Sequence, residues 1–93
     1  MKKILILEDE EIILDLLSSR LSKEGYEIKT ARNGKEGMLM MEKQVPDLLL
    51  TDVIMPEKNG FEVISEMKQS ELLRNVPIII ISNSGQPVEI DKA

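Results

Sequence analysis

Three short apolar runs constrain this chain more than any other feature: "ILIL" (residues 4–7), the leucines of "DLLLTD" (47–52) and "IIII" (78–81). Each run is continuous rather than alternating, and each halts abruptly at polar residues: Glu8 and Asp9, then Asp52, then Ser82. Such runs suit strands covered on both faces, as in a parallel sheet between layers of helices. Between them, "EIILDLLSSRLSKEG" places Ile12, Ile13, Leu16, Leu17 and Leu21 at helical spacing, with Gly25 set to end the helix in a left-handed conformation. "YEIKTA" alternates as a further strand, and Asn33-Gly34 marks a turn before the weaker helix "KEGMLMMEKQ". Val45-Pro46 ends that helix, because a residue before proline avoids helical dihedrals. "FEVISEMKQSELL" restores helical spacing through Phe61, Ile64, Met67 and Leu72, and Pro87 is placed to open one more helix.

The predicted order is β-α-β-α-β-α-β, a doubly wound α/β sheet with right-handed crossovers. With 93 residues and no linker, repeat or low-complexity segment, residues 1–93 are expected to form one small domain. Composition removes several function classes. There is no cysteine and no histidine, hence no thiol nucleophile, no disulfide and no imidazole or thiolate for zinc. A net charge of -5 argues against a surface for nucleic acid. No run approaches the roughly 20 apolar residues of a membrane span. A soluble, cytoplasmic protein is expected.

Ligands of open parallel sheets bind beyond the carboxyl ends of the strands. Glu8, Asp9, Asp52 and Ser82 all fall on that edge. Taken singly, each has an ordinary reading: acids favoured at a helix start, a turn-forming aspartate, a capping serine. Together, three carboxylates on one edge repel one another and call for a hard divalent cation, which suits Mg²⁺ and phosphoryl transfer to a nucleophilic aspartate.

The stretches "ILILEDE", "DVIMPEKNG" and "PIIIIS" resemble the receiver domain of two-component response regulators, a flavodoxin-like fold, and the resemblance covers essentially the whole chain. It implies that Asp52 is the phosphoacceptor for a sensor histidine kinase. Glu8, Asp9, Asp52 and the backbone carbonyl of Ile54 would hold Mg²⁺, and Ser82 would be the switch hydroxyl. Pro56 and Gly60 would shape the intervening loop. A signalling domain is implied rather than an enzyme. The same resemblance implies a fifth parallel strand, a fifth helix and a lysine after that strand, none of which this sequence contains; Lys92 lies ahead of that point. Phosphorylation is therefore expected to be impaired. The fourth strand is expected as an exposed sheet edge through which the chain self-associates, and an alternative reading is a self-associating fragment without phosphotransfer. A metal-dependent phosphatase is a further class, but it calls for a second aspartate at position 54, which is Ile.

Overall fold

The computed structural model describes residues 2–53, 58–81 and 87–88, the last two by backbone alone. Its elements run β1 (Lys3–Leu7), α1 (Glu11–Lys23), β2 (Glu27–Ala31), α2 (Gly34–Lys43), β3 (Leu48–Asp52), α3 (Gly60–Lys68), β4 (Ile78–Ile81) and β5 (Pro87–Val88). The sheet order is β2-β1-β3-β4-β5. The first four strands are parallel, and β5 runs antiparallel to β4. The doubly wound parallel sheet expected from the continuous apolar runs, and the flavodoxin-like fold implied by the family resemblance, are thus present.

Pro87 does not open a helix. It pairs with Ile81 while Val88 pairs with Ile80, so the outer edge of β4 is covered over its second half. The expectation of a wholly open fourth strand is corrected to that extent. Proline lacks a donor N–H and is tolerated at such an edge position.

Alternation along the strands divides the apolar residues into two cores. Leu5, Leu7 and Leu49 pack with Met38 and Met41 of α2, Val63 and Met67 of α3, and Leu73. Ile4, Ile6 and Leu50 face the other way, against Leu14, with Leu17, Leu21, Ile28 and Ile81 at the margin. The inward residue of α1 is Leu14, while Ile12 and Leu16 are exposed. The helix therefore presents a neighbouring stripe to the one its isoleucine and leucine spacing suggests. Its end is as expected: Gly25 adopts φ 97°. Its N–H donates to the Ser22 carbonyl and that of Tyr26 to the Leu21 carbonyl, a Schellman motif.

α2 starts one residue early, at Gly34, with the Asn33 side chain accepting from the Glu36 N–H. α3 begins with a capping box between Asn59 and Glu62. It stops at Lys68, sooner than its apolar spacing suggests, and turns occupy residues 71–75. There the Ser70 carbonyl accepts from Leu73 and Arg74 N–H groups, a turn that buries Leu73 and leaves Leu72 exposed; Phe61, at the start of α3, is exposed as well.

Leu49, fully buried on the central strand, sets a measurable stake in this packing. Leu49→Ala should lower unfolding free energy by about 2–5 kcal/mol through lost burial and a residual cavity. Ile12→Ser, at an 83% exposed position, should stay within about 0.5 kcal/mol. Urea titration of both variants checks the contrast.

Candidate acidic site

The sheet registers bring the site together. Leu7 lies beside Thr51, so the residues that follow them, Glu8 and Asp52, emerge side by side at the carboxyl edge. Both are buried, each 2% exposed. They share strand parity with Ile6 and Leu50, which places them on the α1 face of the sheet. Asp9, one residue further, is exposed. One carboxylate oxygen from each of Glu8, Asp9 and Asp52 lies within 4.8 Å of the others.

Backbone donors hold the two buried acids. The Val53 N–H donates to Asp52 Oδ1 at 2.7 Å, and the Glu10 N–H donates to Glu8 Oε2 at 3.1 Å. The Glu8 N–H continues the ladder to the Ala31 carbonyl at 3.0 Å. Below Asp52, the Thr51 hydroxyl donates to the Asp52 carbonyl at 2.9 Å. Gly60 closes over the strand end: its N–H donates to the Val53 carbonyl at 2.9 Å. A side chain there would collide, since a β-carbon would sit 2.3 Å from the Asp52 carbonyl oxygen.

Burial dominates the electrostatics. Desolvation pushes the Glu8 carboxyl up from 4.5 to about 7, against the opposing Glu10 N–H bond, with Asp52, Asp9 and Glu10 adding repulsion. Desolvation also raises Asp52; the Val53 N–H opposes it, Asp9 repels, and a hydrogen bond from Glu8 partly offsets the rise. Both shifts run in the same direction, as expected for two adjacent buried carboxyls.

An oxygen-only donor set with two buried acids and one exposed acid fits a hard cation that keeps part of its water shell. The sequence-predicted Glu8, Asp9 and Asp52 are therefore brought together. Ile54, Pro56 and Ser82 lie outside the described residues; Ser82 directly follows Ile81, the residue in register with Asp52. What the sequence reading missed is the first residue of α2: the Gly34 N–H donates to the Lys58 carbonyl at 3.0 Å, within the segment that follows Asp52. The Asn33-Gly34 pair is its signal, although in sequence such a pair specifies only a turn.

The response regulator receiver domain family matches residues 4–93, and the chain belongs to that family. Receiver domains are signalling domains of two-component systems, with an acidic pocket for Mg²⁺. The chain is 37% identical over 91 residues to the alkaline phosphatase synthesis transcriptional regulatory protein PhoP of Bacillus subtilis, covering 98% of this chain and 36% of that one. It is 35% identical over 80 residues to the response regulator PleD of Caulobacter vibrioides, covering 86% and 18% respectively. The chain thus spans little more than a third, or less, of these relatives. The chemotaxis response regulator CheY4 of Vibrio cholerae superposes with a TM-score of 0.84 at 31% identity, over 87% of this chain and 68% of that one. The Mn²⁺-bound form of the response regulator Rcp1 superposes with a TM-score of 0.81 at 28% identity, over 92% and 68%. Among the described residues, no helix is long and apolar enough to cross a membrane.

The raised carboxyls make stability depend on pH. In the unfolded chain Glu8 loses its proton near 4.5, whereas in the folded chain it holds it to about 7. Over that window the folded state binds more protons, so stability falls as pH rises through it. Without divalent cation, the melting temperature should drop by roughly 5 °C or more between pH 4.5 and 7.5. Glu8→Gln should flatten the slope, and millimolar Mg²⁺ should restore stability at the upper end by binding the folded state. Thermal melts across pH, with and without Mg²⁺, check all three.

Proposed function

We propose that residues 1–93 act as a cytoplasmic receiver domain in which Asp52 accepts a phosphoryl group from a phosphohistidine on a sensor histidine kinase. The observation that carries this reading is the buried Asp52 carboxylate at the end of β3, with oxygens of Glu8 and Asp9 within 4.8 Å. An Asp52 oxygen forms the new P–O bond while the donor's P–N bond breaks and the imidazole leaves with the electron pair, giving an acyl phosphate. The Val53 N–H fixes the rotamer of the attacking carboxylate through Oδ1. Glu8, Asp9, Asp52 and the Ile54 carbonyl would hold Mg²⁺, which would supply charge neutralisation for the phosphoryl oxygens. The Ser82 hydroxyl donates to one of those oxygens in the product and is the switch. These roles for Ile54 and Ser82 rest on the family resemblance.

Intact mass after incubation with acetyl phosphate and Mg²⁺ tests the reading. Addition of a single phosphoryl group is expected, absent without Mg²⁺ and absent in Asp52→Asn. No addition to a folded wild-type chain removes the reading.

A second reading is favoured by one observation. Among the described residues, β5 pairs only with Ile80 and Ile81 of β4, and Ile79 is 40% exposed. The half of β4 that has no described partner on this side is a template for a second copy. Self-association without labelling supports this reading; a labelled monomer in sedimentation removes it.

A further inference from the structure

The segment that follows Asp52 is gripped at two described points, and both grips need an α-carbon that carries no side chain. One is Gly60 against the Asp52 carbonyl, described above. The other comes from a separate element. The first N–H groups of a helix lack partners within it, and the one at Gly34 is satisfied by the Lys58 carbonyl. A β-carbon on Gly34 would lie 2.2 Å from that oxygen and 2.6 Å from Val63 Cγ2. Neither separation is sustainable. The valine tip could rotate away, but the carbonyl is backbone and could not.

Nothing else about position 34 asks for glycine. Among the described glycines only Gly25 has positive φ. Helix propensity at the start of α2 favours alanine. The contact with Lys58 is what remains.

Lys58 is well placed to transmit that contact. Its side chain pairs with Glu66 of α3, and Asn59, next in sequence, caps α3. Gly60 then returns the chain to Val53 and Asp52. Position 58 is therefore a junction between α2, α3 and the end of β3.

We propose that Gly34 is a positioning residue for the phosphoacceptor. Its bare α-carbon lets the first turn of α2 hold the Lys58 carbonyl, which fixes the segment returning from Lys58 through Gly60 to Asp52. The inference rests on the reading of Asp52 given above. Relieving a 2.2 Å contact takes a displacement on the order of 1 Å, and misplacements of that size can slow a positioned reaction by up to about a hundredfold.

The test compares wild type, Gly34→Ala and Gly34→Ala/Val63→Ala by three measurements. These are backbone amide shifts, urea midpoints, and Asp52 labelling at saturating acetyl phosphate with Mg²⁺. Gly34→Ala should shift the amides of Val53, Lys58 and Gly60, lower the urea midpoint while the chain stays folded in buffer, and slow labelling at saturating donor about tenfold or more. The double variant should stay slow, because removing the valine methyls leaves the carbonyl contact in place. Unchanged amides, rescue in the double variant, or slowing fully accounted for by an unfolded fraction in the labelling buffer would each overturn the proposal. If the folded wild type does not label, the phosphoacceptor reading fails, and the amide shifts still decide whether Gly34 holds the segment.

Discussion

Two carboxylates buried side by side at the end of adjacent parallel strands set the terms for the rest of this structure. A carboxylate leaves water only at a cost, and a second one beside it adds repulsion. Glu8 and Asp52 offset part of that cost through backbone N–H bonds from Glu10 and Val53, and the remainder raises the pKa of both carboxyls. Both donors come from the residues just beyond the strand ends. The turns out of β1 and β3 are therefore electrostatic devices as well as connections. Gly60, at the start of α3, donates its N–H back to the Val53 carbonyl and so closes on the end of β3.

The strands that carry these acids are secured chiefly from the opposite face. Leu7 and Leu49, one parity step from the acids' own face, are enclosed by α2 and α3. The face that bears Glu8 and Asp52 is closed by α1, with Leu14 as its buried residue. The asymmetry places dense packing beneath the site and keeps the site itself reachable from solvent through Asp9. The junction at Lys58 ties the packed side to the acidic one, since α2 and α3 meet the loop after β3 there.

Much of this was legible in the sequence, for physical reasons. Continuous apolar runs ending on acids specify buried parallel strands and the edge where their polar ends gather, so Glu8, Asp9 and Asp52 could be grouped before any coordinates. Gly25 announced a left-handed helix end. The inward stripe of α1 was less legible because apolar residues surround that helix: Ile12 and Leu16 fit helical spacing as well as Leu14 does, and only docking chooses among them. The early end of α3 depends on Ser70 bonds that periodicity does not register. Pro87–Val88 is a strand because β4 offers it an edge, a tertiary cause that overrides a local helix-start signal. Gly34 was hidden for a different reason. An Asn-Gly pair suffices as a turn or cap, and its contact with Lys58 spans 24 positions of sequence.

The acidic pair also places stability and chemistry in opposition. Replacing Glu8 with an uncharged residue relieves repulsion and desolvation at neutral pH, yet it removes one of the three clustered carboxylates and a hydrogen-bond partner of Asp52. A chain selected for stability alone would not keep two acids 2% exposed on neighbouring strands. Two desolvated acids side by side favour a site whose counter-charge arrives from solution. The donors that hold them, Glu10 and Val53, lie just beyond β1 and β3, so the acids are fixed from the strand ends rather than from the packed face below.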